Sequence, residues 1–253
     1  MYLAESLLLG FIQGLTEWLP VSSSGHLAVV QLLFGVEEPL LFNVALHAAT
    51  LIVLIVYFRR DLVQLALAAI SLDFSSKYGR LIPLLVSGTI PTAIVGLILY
   101  EHYITLFKFE LLGFSFSVSG MLVLASKIRE GYNPVSTKTA LLIGLAQALS
   151  IAPGFSRSGL TISVALLAGV ERDEAFRFSF LLSIPAVLGA LTITLMKSAF
   201  DSTILPHILL GVVSAALVGY LSLATLRKLL MRGFFHWLGI YTIALGLTLL
   251  FVF

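Results

Sequence analysis

From Leu40 to Phe58 the chain carries no Asp, Glu, Lys or Arg, and the same holds for 81–100, 203–224 and 235–253. Runs of this length match the roughly 20 apolar residues that a helix needs to cross a bilayer. A fifth run, 178–199, holds only Lys197 near its end, and a shorter sixth, 111–126, is uncharged. Within lipid the backbone finds no water to bond, so such runs cross as helices. Only 11% of the 253 residues are charged, against about 25% in ordinary soluble domains. A chain so poor in charge cannot clothe a water-facing surface. Fifteen Lys and Arg against thirteen Asp and Glu leave no basic face for nucleic acid. With no Cys, disulfide frameworks, thiol catalysis and Cys-ligated zinc are excluded. The expected class is an all-α polytopic membrane protein, with 1–253 forming one integral membrane domain.

The amino terminus, MYLAESLLLGF, lacks a basic leader region and a small-residue cleavage site, so insertion is expected to rely on the chain's own spans. The segment 62–72 is too short to cross and reads as a short helix at or partly in the membrane. Two other regions, 1–36 and 139–170, are apolar but broken halfway by Pro, Gly and Ser.

Lys and Arg in short loops set orientation. Let the side bearing Arg59, Arg60, Lys77 and Arg80 be the cytoplasm. Alternating spans then place Lys127, Arg129, Lys138, Arg172, Arg177, Arg227, Lys228 and Arg232 there too, 12 of the 15 basic residues. Lys108 and Lys197 fall outside, and Arg157 lies within a broken region. The count works only if 1–36 and 139–170 each return to the side they came from. It therefore predicts two re-entrant hairpins, the first from outside and the second from the cytoplasm.

Those two regions resemble each other. Residues 10–37 lie over 144–171 without a gap, at an offset of 134. Gly10, Gln13, Leu15, Ser22, Ser24, Gly25, Gly35, Val36 and Glu37 each meet an identical residue. A full span follows each copy, and by the charge argument the two spans run in opposite directions. The chain thus reads as an inverted-topology repeat (about 1–126 and 135–253), with its broken hairpins meeting near the midplane. Non-helical backbone at that depth must line a cavity or be buried in protein. Both Ser-rich breaks are expected to face one polar pocket.

The first break runs from Gln13 through Glu17, Pro20, Ser22, Ser23, Ser24 and Gly25 to His26. Gln13 and Glu17 are four apart and share a helix face, and Pro20 disfavours continuing the helix. The second break holds Pro153, Gly154, Ser156, Arg157, Ser158, Gly159 and Thr161. An ionisable group at membrane depth marks a functional site with a partner. A bare Glu17–Arg157 pair fixing the packing would not explain the hydroxyls, glycines and imidazole around it. Gly permits close backbone approach, helix starts offer N–H groups to anions, and Arg adds a planar fork for phosphate oxygens. A phosphate pocket is the expectation. His26 is suited to proton transfer, a neighbouring Ser to attack on phosphorus, and His26 alternatively to activating water. Glu17 is suited either to a divalent cation or to orienting His26. His47, alone on an apolar span, reads as a packing residue. His102, His207 and His236 fall near span ends and read as surface or interfacial. Trp18 packs or lines the lipid entrance, and Trp237 suits an interfacial anchor. Small residues such as Gly88 and Gly96 suit helix packing within one chain or, in a homodimer, between two.

At these residues the chain resembles the undecaprenyl-diphosphate phosphatase family of the bacitracin-resistance type. QGLTEWLPVSSSGH is similar to its Glu/Gln-x-x-x-Glu motif with the following Pro-x-Ser-Ser-x-Gly-His, and PGFSRSGLT to its Pro-Gly-x-Ser-Arg-Ser-x-x-Thr motif. The similarity runs over essentially the whole chain. It implies an inverted-repeat fold and a phosphoric anhydride hydrolase that converts a polyprenyl diphosphate to its monophosphate plus phosphate. Such an enzyme recycles the lipid carrier of cell-envelope glycan synthesis, with its site at the outer face. By position, the resemblance makes Glu17, Ser23, His26 and Arg157 catalytic, with Ser22, Ser24, Ser156, Ser158 and Thr161 as supporting hydroxyls. Gln13, Gly25 and Gly154 complete the expected substrate pocket. A divalent cation, Mg2+ or Ca2+, is implied by the family, with Glu17 its expected ligand. The first acidic position is Gln13 here, which weakens any two-carboxylate metal site. The competing reading is a polyprenyl-phosphate flippase, because broken helices in inverted repeats are also a transporter architecture. His26 beside Ser23 favours the enzyme, since carriage needs no base. No repeated ring of charge suggests a channel.

Overall fold

The structure is a computed structural model and describes residues 2–36, 39–99, 109–129, 131–196 and 202–252. Glu37, His102, Lys108 and Lys197 lie outside the described residues. Among the described residues the regular structure is helical apart from one isolated bridge, Asn133 to Val170. In chain order the α-helices are α1 (Leu3–Trp18), α2 (Ser23–Phe34), α3 (Leu40–Tyr57), α4 (Arg59–Ile70), α5 (Leu81–Leu99), α6 (Phe109–Ala125), α7 (Thr137–Leu149), α8 (Arg157–Leu167), α9 (Arg172–Leu195), α10 (Leu205–Met231) and α11 (Trp237–Val252). Five stretches are long and apolar enough to cross a membrane: α3, α5, α6 continued to Ile128, α9 and α10. The chain is a multi-pass membrane protein.

Several boundaries differ from expectation. Helix α9 starts at Arg172 and α10 runs on to Met231, so both carry their charged ends past the apolar run. The C-terminal span is shorter, with 16 residues from Trp237 to Val252, or about 24 Å at 1.5 Å per residue. The expected short helix at 62–72 is α4, which begins at Arg59 because Arg59, Arg60 and Asp61 extend its first turn.

Both broken regions form helix pairs. Helix α1 stops at Trp18 with Leu19 extended, the conformation that a following proline imposes. Helix α2 starts after Ser22, whose Oγ accepts from the Gly25 N–H at 3.3 Å. Helix α8 starts in the same way, with Ser156 Oγ accepting from the Gly159 N–H at 3.2 Å. These caps sit at matching positions of the two similar segments. Each satisfies one N–H that a helix start leaves without an intrahelical partner.

The first helix of each pair lies along a long helix, α1 against α10 and α7 against α5. Glycine permits the approach. A Cβ on Gly10 would overlap Gly211 O, and one on Gly144 would overlap Gly88 O. Helices α6 and α11 pack likewise through Gly120 against Gly239 and Gly113 against Gly246. Gly88 therefore serves contact within the chain. The largest core joins Trp18, Phe58, Phe176, Phe180, Ile162 and Leu226.

Charged residues bond segments that lie far apart in the sequence. Arg177 pairs with Asp61 and also donates to Tyr78 Oη at 3.2 Å. Arg227 pairs with Asp173 at 2.8 Å, Arg172 donates to Met231 O at 3.3 Å, and Arg129 to Leu167 O at 3.2 Å. Four of the basic residues grouped by the charge count, Arg129, Arg172, Arg177 and Arg227, thus bond segments distant in the sequence.

Replacing Gly144 by Ala should cost about 1–3 kcal/mol, because the methyl meets backbone that cannot give way. Gly189 faces open space, with nothing within 4 Å of where a methyl would stand, and Gly189→Ala should be neutral or stabilise by up to about 1 kcal/mol. Thermal unfolding of both variants in detergent checks the contrast.

Candidate active site

Four residues from four helices converge on the Glu17 carboxylate at the end of α1. Arg157, the first residue of α8, pairs with Oε1. Ser23 donates its hydroxyl to Oε2 at 2.6 Å, and Gln13 Nε2 donates to Oε2 at 3.1 Å. His47 of α3 brings Nδ1 to 3.7 Å from Oε2 and 3.0 Å from Gln13 Nε2. Since that amide nitrogen only donates, Nδ1 accepts and the neutral ring keeps its proton on Nε2. The Glu17–His47 contact is then no ion pair. Glu17 is 8% exposed, which makes an unpaired charge there expensive and the arginine necessary.

Arg157 is held from several sides. Its guanidinium stacks over the Trp18 ring at 5.8 Å from the centroid, a cation–π distance. Trp18 itself is buried against Phe180. One guanidinium nitrogen is committed to Glu17, while Nη1 is buried with no hydrogen-bond partner. A buried arginine nitrogen with unused donors is suited to an oxyanion.

The breaks are joined through backbone as well. Leu19 O, freed where α1 ends, accepts from Ser158 Oγ at 3.2 Å and Ser156 Oγ at 3.4 Å. Ser22 and Ser24 lie 3.4 Å apart at their hydroxyls, and Ser156 and Ser158 lie 3.3 Å apart. Ser22 adopts φ 66°, a left-handed conformation unusual outside glycine. It is kept there by its cap and by its carbonyl, which accepts from the His26 N–H at 3.2 Å.

Gln13, Glu17, Ser23 and Arg157 therefore stand together, with the hydroxyl pairs of both breaks beside them. Other expected residues do different work. Thr161 turns its hydroxyl back to Arg157 O at 2.8 Å, a bond within its own helix. Gly25 makes room for Phe116, whose Cζ an added Cβ would overlap. Gly154 takes φ 89° in the turn. The expected pairing of His26 with Ser23 is not what the fold builds. Ser23 donates to Glu17, and His26 directs Nδ1 to Ser22 O at 2.8 Å and Nε2 to Tyr241 Oη at 2.8 Å.

Two further corrections concern histidines. His47 belongs to the polar cluster rather than to the packing. Its signal was an ionisable ring in the middle of an uncharged span. His236 is buried, 8% exposed, rather than at the surface. His207 bonds Ser6 Oγ at 3.0 Å and ties α10 to α1. Trp237 is 58% exposed at the start of α11. Tyr241 had no sequence signal at all.

A family model described as bacitracin resistance protein BacA matches residues 6–248. The chain is 38% identical over 259 residues to the undecaprenyl-diphosphatase of Korarchaeum cryptofilum (strain OPF8), covering 99% of both chains. It is 42% identical over 255 residues to the undecaprenyl-diphosphatase of Desulforudis audaxviator (strain MP104C), covering 98% of this chain and 97% of the relative. A third undecaprenyl-diphosphatase, from Treponema denticola (strain ATCC 35405 / DSM 14222 / CIP 103919 / JCM 8153 / KCTC 15104), is 38% identical over 262 residues, covering 98% and 97%.

The Ser22 conformation supplies a test of the site's frame. Ser22→Gly loses the cap but relieves the positive φ, and should change stability by less than about 0.5 kcal/mol. Ser22→Val loses the cap and puts a β-branched residue at positive φ, at a cost of about 2 kcal/mol or more. Unfolding midpoints in detergent should separate the two.

Proposed function

The chain belongs to the bacitracin resistance protein family, and from that premise we propose that it is an integral-membrane undecaprenyl-diphosphatase. It hydrolyses a polyprenyl diphosphate to the monophosphate plus phosphate, and so recycles the lipid carrier of cell-envelope glycan synthesis. The observation that carries this reading is a serine hydroxyl bonded to a carboxylate whose arginine partner keeps one nitrogen free of hydrogen bonds. That is a nucleophile, its base and an oxyanion donor in one cluster.

The terminal phosphoryl group lies against Arg157 Nη1. Ser23 Oγ attacks the phosphorus while its proton passes to Glu17 Oε2, and the bond to the polyprenyl monophosphate breaks. Arg157 stabilises charge on the transferred group. Water then attacks the phosphoserine, the P–O bond to Ser23 breaks, and Glu17 returns the proton to the serine. His26 stands three residues from Ser23 on α2, hence on a neighbouring face, and takes the proton of that water. Gln13 holds the Glu17 carboxylate in place, and His47 holds the Gln13 amide. The hydroxyls of Ser22, Ser24, Ser156 and Ser158 line the approach, and the isoprenoid tail leaves between helices into lipid.

The residues fit a divalent cation of the Mg2+ or Ca2+ type. Gln13 Oε1 is buried without a partner, and with Glu17 it offers two oxygen ligands. Mg2+ commonly takes the remainder from phosphate and water. The cation would supply neutralising charge to the diphosphate.

The reading includes an inverted repeat of two re-entrant hairpins within one domain, the site opening to the outer face. Its support is the recurrence of the Ser22–Gly25 cap at Ser156–Gly159 and of the Gly10 approach at Gly144. Three of the four hairpin helices, with 12, 13 and 11 residues, reach only about 16–20 Å, short of the roughly 30 Å hydrocarbon layer.

Phosphate release from undecaprenyl diphosphate by the purified protein in detergent tests the function. Arg157→Ala should lower kcat by about 10³ or more, and Ser23→Ala by a comparable factor. His47→Ala should cost about tenfold, as expected for an indirect contact. Chelation should abolish release. Wild-type turnover in Arg157→Ala would refute the arrangement.

A further inference from the structure

We propose that Tyr241 is a positioning residue for His26, fixing the orientation of its imidazole by a stacked ring contact and a hydrogen bond to Nε2. This assignment rests on the diphosphatase reading. Tyr241 belongs to α11, remote from both serine-rich breaks in sequence. Its hydroxyl lies 2.8 Å from His26 Nε2, and the two rings stack at 5.8 Å between centroids and 18° between planes. Phe116 closes a further side of the imidazole edge-on, at 5.4 Å and 77°.

The direction of the bonds follows from the partners. His26 Nδ1 lies 2.8 Å from Ser22 O, and a carbonyl oxygen only accepts. The neutral ring must therefore carry its proton on Nδ1. Its Nε2 is then the acceptor, and Tyr241 O–H donates to it. Two ring contacts and two hydrogen bonds fix the imidazole, and Tyr241 supplies one of each.

The seat of Tyr241 is itself fixed. The adjoining Thr242 donates to Pro20 O at 3.3 Å, so consecutive residues of α11 grip the first break. Gly239 and Gly246 bring the α11 backbone against α6. Tyr241 is 50% exposed. A tyrosine serving only as an interfacial anchor turns its hydroxyl toward the headgroups; this one turns it onto the imidazole. In the reaction the tyrosine hydroxyl gives up the single lone pair of Nε2 to the water that hydrolyses the phosphoserine, while the ring contact keeps the imidazole oriented. That contact also keeps the ring off the Ser23–Glu17 pair.

The test combines kinetics and imidazole spectra of the full-length protein in detergent. Tyr241→Phe keeps the ring and loses the hydroxyl. It should lower kcat about fivefold, the loss of one hydrogen bond, with unchanged thermal unfolding. In a His26→Ala background the same change should have no further effect, because Tyr241 acts through the imidazole. Tyr220→Phe, at an equally exposed tyrosine (49%), should leave kcat unchanged. With ¹⁵N-labelled histidine, the His26 signal (assigned by its loss in His26→Ala) should show the single Nδ1–H tautomer in wild type. In Tyr241→Phe the proton should stay on Nδ1, held by Ser22 O, while the Nε2 resonance shifts with the loss of its hydrogen bond. Undiminished kcat in Tyr241→Phe, multiplicative losses in the double variant, or an unchanged His26 spectrum would each overturn the assignment alone. A wild type inert toward undecaprenyl diphosphate would overturn the underlying reading as well.

Discussion

A buried ion pair between Glu17 and Arg157 holds the two broken regions together. Each charge is costly at its depth, and removing one partner strands the other. The pair thus sets where α1 ends relative to where α8 begins. Ser156 and Ser158 reinforce it by bonding Leu19 O, the carbonyl that α1 exposes when Pro20 stops it. Trp18 adds an aromatic floor beneath the guanidinium.

Glycine makes that meeting possible at low cost. With Gly10 against Gly211 and Gly144 against Gly88, the short helices lie almost backbone to backbone on longer ones. Without a hydrophobic drive between helices in lipid, such close van der Waals contact is a main source of association. The hydroxyl caps at Ser22 and Ser156 then absorb N–H groups that lipid could not. Among the described residues, a few buried side-chain atoms are left without a hydrogen-bond partner. Arg157 Nη1 and Gln13 Oε1 are two of these, both at the Glu17 cluster where a phosphate and its cation are expected.

Much of this was legible in the sequence because its causes are local or periodic. The caps need Ser and Gly at fixed spacing, and the 134-residue offset carried that spacing from one break to the other. An Arg and a Glu inside apolar runs had few partners but each other. What could not be read depends on side-chain direction. His47 meets Gln13 from 34 residues away, and nothing in its apolar surroundings marks the face it turns. His26 shares a helix with Ser23, which suggested a pair, yet Tyr241 draws its ring toward α11 from 215 residues away. The ends of α9 and α10 ran past the apolar windows because charged residues continue a helix as readily as they leave a membrane.

The central claim is that Glu17 and Arg157 act as one unit joining the two breaks. A double-mutant cycle on unfolding in detergent tests it most directly, with Glu17→Gln, Arg157→Gln and the two combined. Each single change should cost about 3 kcal/mol by leaving a buried charge unpaired. The combined change, which leaves two neutral amides, should cost less than their sum by at least about 1 kcal/mol. Strictly additive losses would mean that the two residues do not sense each other, and would contradict the account.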